Sequence, residues 1–377
     1  MTGPAQGTTY PTTLPRTYYL SPTTFESEVE RVFFRQWTFV AHESQLPGPG
    51  DFLVDEIAGE SILVVRDGAG EVRAFFNVCR HRGYRFCEQP HGHAARFTCP
   101  YHRWSYGPDG YLLNVPGSPD GELIDYAEWG LVSCHLETWH GLVFVALGDR
   151  APAPLRPALD LLGADMLPAR PDRLALAFSE TYEVRANWKI LLENYLECYH
   201  CPGQHPELCS SMALDAMYAT TAGWEGAYVG GSTPLKRGHL TMSLDGGLVS
   251  TPLGAFADLD ELPDGLGGGF MIVPFLTRII CHVDHVVVHV VRPVDAGRTR
   301  WVTHWYVNDR AVAGVDFDVD ELTHVWRSTN RQDVALCEGA QLGVASRRFV
   351  PGPLHPQRES AVAAALDVYR ELMDESR

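Results

Sequence analysis

The apolar positions of the chain change their rhythm twice. After a Thr- and Pro-rich opening over residues 1–20, Ser21-Pro22 starts a stretch in which Phe25, Val29, Val32, Phe33 and Trp37 recur at helical spacing. One packing helix is predicted there. From Thr38 to about Arg150 the rhythm shortens to strand-like runs broken by Gly, Pro and Asp. These are Phe52-Leu53-Val54, Ser61–Val65, Val72–Phe76 and Leu142–Leu147. Asp67-Gly68-Ala69-Gly70 supplies a turn between the second and third, so a small all-β region is predicted.

Residues 151–160, APAPLRPALD, read as a Pro-rich linker. The strand-like Ala175–Val184 follows, then Asn187–Pro206, which is helical up to a break at Pro202-Gly203. Ser210–Gly269 shows no clear period and is rich in Gly, Asp and small residues, as loops over a pocket would be. The runs Phe270–Leu276, Val286–Val291 and Thr299–Val307 predict hairpin partners in an antiparallel sheet. Helical character returns over Phe317–Gln341 and from about Gln357 to Met373. The expected class is α+β in three parts: an arm and helix over 1–37, a small all-β domain over 38–150, and a larger domain over 151–377.

With 377 residues the chain is long enough for two domains and a substantial core. Lys plus Arg number 30 against 47 Asp plus Glu, a formal net charge of −17. That balance argues against nucleic acid or an anionic membrane surface as partner. It is compatible with a cationic substrate or a basic protein partner, beside the plainer reading of a solvated acidic surface. The N-terminus has no basic or apolar signal region, and no apolar run approaches the roughly 18 residues of a membrane span. A cytoplasmic location is expected. Nine cysteines, an odd number without an export signal, argue against a disulfide framework, and reduced thiols are expected.

Two clusters carry metal chemistry. Cys79-Arg80-His81 and Cys99-Pro100-Tyr101-His102 each mix one Cys with one His. Each loop can then give one ligand to each iron of a [2Fe-2S] centre, with Cys on one iron and His on the other. Zinc is the rival metal, but finger-type zinc sites pair like with like. Cys87, between the boxes, reads as a small core residue, and His91 and His93 as surface-loop histidines. In the second cluster Glu197, His200 and His205 share one short segment. Two imidazoles and one carboxylate make a face on iron(II) that leaves positions open for oxygen. In a straight helix His200 and His205 would point about 140° apart, so an irregular turn between them is required. Carboxylate candidates from elsewhere are Asp333, Asp316, Asp318 and Glu338. Cys198, Cys201 and Cys209 read as packing residues.

These residues carry a family resemblance. Cys79-Arg80-His81-Arg82-Gly83 and Cys99-Pro100-Tyr101-His102-Arg103-Trp104-Ser105-Tyr106 resemble the two boxes of the Rieske domain, and Asp109-Gly110 fits the same pattern. Arg103 departs from it, since many members have Gly there; altered local packing or partner docking is expected. Asn187–Pro206 is similar to the catalytic segment of Rieske non-haem iron oxygenase α subunits, so the resemblance spans nearly the whole chain. It implies a helix-grip, START-like antiparallel-sheet catalytic domain. It also implies Cys79, His81, Cys99 and His102 as cluster ligands, with His200, His205 and Asp333 on a mononuclear Fe(II). Glu197 is then the residue that bridges to a Rieske histidine of the neighbouring subunit in a head-to-tail homotrimer.

The implied activity is an O2-dependent oxygenase fed with NAD(P)H electrons by a separate flavin- or ferredoxin-type reductase. No Gly-x-Gly-x-x-Gly follows a strand in this chain, which is why the reductase is expected on another polypeptide. Many ring-hydroxylating members have Asp where Glu197 stands. Glu-x-Cys-Tyr-His-Cys-Pro resembles instead the members that act on glycine betaine, carnitine and choline. Hydroxylation or oxidative N-demethylation of a small quaternary ammonium substrate is therefore expected. The alternatives are an arene, aryl ether or natural-product substrate, and a ligand-binding or electron-carrier protein with a dead iron site. Quaternary ammonium groups bind in aromatic cages; the candidate walls are Trp224, Tyr228, Phe270, Phe275, Trp305 and Tyr306.

Overall fold

Ser21 caps the first long helix: its Oγ accepts the Thr24 N–H at 3.2 Å, and Pro22 occupies the first turn. In the computed structural model, which describes residues 10–118, 123–215, 223–225, 227–258 and 268–374, this helix is α1, Pro22–Glu28. It runs on as one wider turn over Val29–Phe33, where Phe34 N–H reaches back to the Val29 carbonyl. Val32 and Phe33 are buried against Trp188, Leu191 and Tyr369.

The small β region is built from ten strands: β1 (Thr38–His42), β2 (Asp51–Ile57), β3 (Glu60–Arg66), β4 (Val72–Phe76), β5 (His91–His93), β6 (Phe97–Thr98), β7 (Ser105–Tyr106), β8 (Leu112–Asn114), β9 (His135–Trp139) and β10 (Leu142–Ala146). They form three antiparallel sheets in the orders β1-β10-β9, β4-β3-β2-β5 and β6-β7-β8. Phe52, Leu63, Val65 and Phe75 pack with Cys79, Cys99 and Trp104 in one core under the loop tips.

The expected linker at 151–160 is instead a packed element. Helix α2, Leu155–Leu162, buries Leu155, Ala158 and Leu159. Its start is tied to β9, with Glu137 Oε2 accepting the Leu155 N–H at 3.0 Å and Trp139 Nε1 donating to Asp160 at 2.8 Å. Prolines before and inside the first turn mimic a linker, but they remove only donors that a helix start leaves unpaired.

The larger domain is one antiparallel sheet of seven strands crossed by helices. β11 is Leu174–Val184; then come helices α3 (Trp188–Tyr195), α4 (Cys201–Gln204) and α5 (Pro206–Ser211). The remaining strands are β12 (Gly223–Glu225), β13 (Tyr228–Thr233), β14 (Gly268–Val273), β15 (Thr277–Cys281), β16 (Val286–Asp295) and β17 (Arg298–Asn308). Their spatial order is β11-β17-β16-β15-β14-β13-β12. The Val-rich β16 is buried along most of its length, as a central strand covered on both faces must be. The run Phe270–Leu276 is not one strand: Pro274-Phe275 turns the chain, with Phe275 in the left-handed region at φ 63°, and β15 returns beside β14.

Helix α6, Val319–Val344, is capped by Asp318, whose Oδ1 accepts the N–H groups of Asp320 and Glu321. Its Val325 and Trp326 pack on Ile280, Val287 and Trp305 of the sheet. Helix α7, Ser360–Met373, closes the chain against α1 and α3 through Tyr369. The fold is thus mixed helix and sheet, with an antiparallel-sheet larger domain. Among the described residues no helix is long and apolar enough to cross a membrane.

Candidate metal centres

The two loops of the small domain repeat one backbone plan. In the first, Cys79 N–H donates to the Tyr84 carbonyl at 2.9 Å and Gly83 N–H to the Cys79 carbonyl at 3.0 Å. In the second, Cys99 N–H donates to Trp104 O at 2.8 Å and Arg103 N–H to Cys99 O at 3.0 Å. The fifth residue of each loop is left-handed: Gly83 at φ 72° and Arg103 at φ 64°. Gly adopts that conformation without penalty and Arg does not. Arg103 is therefore where the departure from the family pattern is felt, in the backbone of the second loop.

The pairing of these loops puts the two thiols inside and the two imidazoles at the tip. Cys79 and Cys99 are 2% and 1% exposed. Tyr106 OH stands 3.3 Å from Cys79 Sγ and accepts the Arg80 N–H at 3.1 Å. The rings of His81 and His102 lie 4.5 Å apart, and Trp104 stacks on His81 at 4.9 Å. Two buried sulfurs and two outward imidazoles, one of each from each loop, form a donor set that fits a [2Fe-2S] cluster. Cys87 is buried, and His91 and His93 lie on an exposed strand away from this set, where His93 Nδ1 is 3.0 Å from Asp51.

The second centre is assembled from α3, the turn after it, and α6. Asn187 caps α3 by accepting the Lys189 N–H. After Tyr195 the chain leaves the helix, and α4 and α5 restart it with Pro202 and Pro206 in their first turns. That interruption brings His200 Nε2 to 3.0 Å from His205 Nε2. Asp333, from the middle of α6, places Oδ1 3.0 Å from His205 Nε2 and 3.3 Å from His200 Nε2. Of the other carboxylates considered, Asp316 Oδ2 accepts the Val312 N–H, Asp318 caps α6, and Glu338 pairs with Arg185 at 2.8 Å.

The outer nitrogens are held as well. Glu197 Oε1 lies 2.5 Å from His200 Nδ1, and Gln332 Oε1 lies 2.7 Å from His205 Nδ1. Gln332 is itself fixed by donating to Glu207 at 3.0 Å. With Nδ1–H donated to an oxygen, each ring turns its Nε2 lone pair toward the other and toward Asp333. Two lone pairs and a carboxylate that close repel unless a cation sits among them, so the set fits a divalent metal ion. Burial alone would lower the His200 pKa, but Asp333 and Glu197 overcome it and lift it to about 9. Burial would raise the Asp333 pKa, and its two histidine contacts hold it low instead. The two carboxylates thus favour positive charge at the imidazole pair.

Two expectations about the cysteines change. Cys201 Sγ lies within 4.8 Å of the His200 and His205 nitrogens, yet it is joined to Cys198 in a disulfide. The turn that carries His200 brings these Cα atoms to 4.9 Å, close enough to bond. They are not simple packing thiols, and the described chain is not wholly reduced; the sulfur is thereby no free thiolate for the metal. Cys209 remains a free thiol.

A cavity of about 400 Å³ opens on His200, His205 and Asp333, and Tyr195, Phe270, Arg278 and Trp326 line it. Of the expected cage walls whose side chains are described, only Phe270 faces it. Phe275 packs on Trp188 in the core, Tyr306 OH donates to Gln45, Trp305 packs on Phe178, and Tyr228 packs beside α2. The side chain of Trp224 falls outside the described part of the structure. Sequence reasoning passed over Tyr195, Trp326, Gln332 and Arg278. A lone Arg inside the apolar run Thr277-Arg278-Ile279-Ile280-Cys281 was the available signal for the last.

Residues 36–158 match the family described as the Rieske [2Fe-2S] domain, and residues 171–375 that described as the ring hydroxylating alpha subunit, catalytic domain. The glycine betaine monooxygenase oxygenase subunit of Pseudomonas aeruginosa (strain UCBPP-PA14) is 34% identical over 382 residues, covering 96% of this chain and 89% of that protein. The carnitine monooxygenase oxygenase subunit of Escherichia coli (strain K12) is 38% identical over 213 residues, 56% of this chain and 57% of that one. The quaternary ammonium Rieske monooxygenase CntA, in complex with its substrate γ-butyrobetaine, has a TM-score of 0.78 at 25% identity and covers 97% of this chain and 96% of its own. Naphthalene 1,2-dioxygenase from Rhodococcus sp., at 20% identity and a TM-score of 0.73 over 96% of this chain and 94% of its own, shares the fold. The two matched domains imply a Rieske cluster and a mononuclear iron, and both donor sets fit them: the chain belongs to the ring-hydroxylating α-subunit family and is an oxidoreductase of the Rieske oxygenase type.

Proposed function

We propose that this chain is the oxygenase component of a system that oxidises a small quaternary ammonium compound, by methyl hydroxylation followed by N-demethylation. The observation that carries the reading is the cavity at the His200–His205–Asp333 centre. It combines Tyr195, Phe270 and Trp326 with the carboxylates of Glu197 and Asp333. Aromatic faces and negative charge in a dry site attract a trimethylammonium group. The relatives named for glycine betaine and carnitine share this chemistry of substrate.

The iron supplies O2 activation when bound, held by His200, His205 and Asp333. Glu197 and Gln332 keep the two imidazoles in the tautomer that offers Nε2, and Asn194 Nδ2 donates to Asp333 Oδ1 at 3.1 Å, fixing its carboxylate. The aromatic walls orient one methyl group toward the centre and exclude water. In the balanced reaction one oxygen atom enters a methyl C–H bond; the other leaves as water with two electrons and two protons. The N–CH2OH product then breaks its C–N bond, releasing formaldehyde, a proton and the demethylated amine.

A separate reductase delivers the electrons from NAD(P)H to the cluster. Exposed Tyr84, Tyr101 and Trp129 surround its outward His81–His102 tip, a surface suited to the neighbouring chain. In this reading three chains form a head-to-tail ring. Glu197 then joins His200 to a cluster histidine of its neighbour, as inter-subunit electron transfer requires.

The test is an anaerobic single turnover. The reduced protein is mixed with glycine betaine, carnitine, choline or an arene, O2 is admitted, and formaldehyde and cluster oxidation are followed together. Formaldehyde in step with cluster oxidation is expected from a quaternary amine. A hydroxylated arene with no formaldehyde from any amine would replace this reading.

A further inference from the structure

We propose that Arg278 receives the anionic end of the substrate, so that the site selects carboxylate-bearing quaternary amines over those ending in a hydroxyl. This rests on the quaternary ammonium reading above and goes beyond it, because a trimethylammonium cage alone does not choose between the two.

Arg278 stands in β15, the strand next to the Val-rich centre of the sheet, and turns its side chain into the cavity. Its guanidinium lies over the rings of Tyr195 and Trp326, 5.6 and 5.7 Å from their centroids. Its Nε is buried and without a hydrogen-bond partner, and among the described residues it forms no ion pair. The residue as a whole is part-buried on the cavity wall, where an Arg is normally matched by a carboxylate. Here nothing in the described chain provides one, and the guanidinium stays a cation at neutral pH.

Its neighbours share the same deficit. Tyr195 OH and Trp326 Nε1 are buried and unpartnered, and so is His289 Nε2. His289 sits directly across from Arg278 in β16 and packs on both Tyr195 and Trp326. Asn330 Nδ2 donates to Thr303 Oγ1 at 3.1 Å, so the Thr303 hydroxyl proton is free for His289 Nδ1, 3.0 Å away. The imidazole then carries its own proton on Nε2. Three unpartnered groups that can donate stand beside one cation, two of them on residues that line the cavity, and they suit an oxyanion; a carboxylate matches the guanidinium fork with two oxygens.

The same cavity also has the complementary charge. Glu197 and Asp333 are carboxylates, and Arg278 feels the charge of Asp333 without pairing with it. A molecule with an ammonium at one end and a carboxylate at the other satisfies both charges at once. With the carboxylate on Arg278, the methyl groups fall toward His200 and His205. Choline, with the same cation and a neutral hydroxyl, would leave the guanidinium uncompensated.

The experiment measures binding by calorimetry to the anaerobic, iron- and cluster-loaded protein, using glycine betaine, choline and acetate at constant ionic strength. Wild type, Arg278→Lys and Arg278→Met are compared, with the cluster absorbance spectrum as the check on folding. Wild type is expected to prefer glycine betaine over choline by about 100-fold. Arg278→Met abolishes that preference by losing glycine betaine affinity, and Arg278→Lys retains part of it. Should Arg278→Met fail to fold, the wild-type ratio and the Lys variant decide. Equal affinity of wild type for glycine betaine and choline overturns the role of Arg278 while leaving the amine reading in place. Binding of acetate, lost in the Arg278 variants, with neither trimethylammonium compound bound keeps Arg278 as an anion site and overturns the amine reading.

Discussion

Asp333 Oδ1 lies 3.0 Å from His205 Nε2, although one belongs to the middle of α6 and the other to the turn before α5. The contact closes the proposed mononuclear centre, and it depends on α6 packing across the sheet through Val325 and Trp326. Asp333→Ala is expected to leave two neutral ligands and lose the iron, with the cluster retained. Metal analysis beside the cluster absorbance reads both; full iron occupancy in this variant would move the carboxylate ligand elsewhere.

Gln332 acts one bond further out. It accepts from His205 Nδ1 and is braced by Glu207. Gln332→Leu removes that acceptor without touching the iron ligands, and a roughly 10–100-fold loss of iron affinity is expected. Competitive chelator titration measures it, and the cluster spectrum should not change.

Glu28 holds three elements together. Lys189 Nζ lies 2.5 Å from its Oε1, Trp188 Nε1 donates to Oε2 at 2.7 Å, and Tyr369 OH donates to Oε1 at 2.5 Å. Glu28 and Lys189 are both fully buried. Glu28→Ala strands a buried ammonium, and a loss of about 3–5 kcal/mol is expected in denaturant unfolding. Glu28→Gln keeps one oxygen to accept from Lys189 and Tyr369 but loses the acceptor for Trp188 Nε1–H, and should lose less than Glu28→Ala.

Burial raises the Glu193 pKa from 4.5 to about 7, while Tyr19 OH, donating to it at 2.6 Å, opposes the rise. Between those values the folded carboxyl keeps a proton that the unfolded chain has released, so stability falls as pH climbs from about 4.5 to 7. Glu193→Gln removes this term. Its melting temperature should gain on wild type between pH 5 and pH 8, by an equivalent of up to about 3 kcal/mol. A pH-independent difference would show that Glu193 is not protonated in the folded protein.

Arg103 takes a left-handed conformation at φ 64°, which its counterpart Gly83 adopts freely. Arg103→Gly is expected to stabilise the small domain by about 1 kcal/mol. Thermal loss of the cluster absorbance would report the gain.

Much of this was legible in the chain. The strand runs of the small domain, the break at Pro202-Gly203, and the mixed Cys/His pairs are local patterns whose meaning does not depend on distant residues. The linker reading of 151–160 failed because proline marks helix starts as well as loops, and only the contacts of Leu155 and Asp160 distinguish the two. The single strand expected over Phe270–Leu276 failed because a tight turn at Pro274-Phe275 leaves no change in hydrophobicity. Most expected cage walls failed because an aromatic in a strand faces core or cavity according to register, and period alone does not say which face is which.

The sequence by itself determined the ligand types, their spacing within each loop, and the need for a kink between His200 and His205, since these are properties of contiguous residues. Tertiary structure decided that a carboxylate of α6 meets the histidines, which cysteines pair, and that Arg278 faces the cavity. Asp333 is marked along the chain only by the family resemblance, Arg278 only as a lone charge in an apolar run, and Cys201 not at all. Their roles come from what the fold brings near them and, for Arg278, from the counter-charge it leaves out.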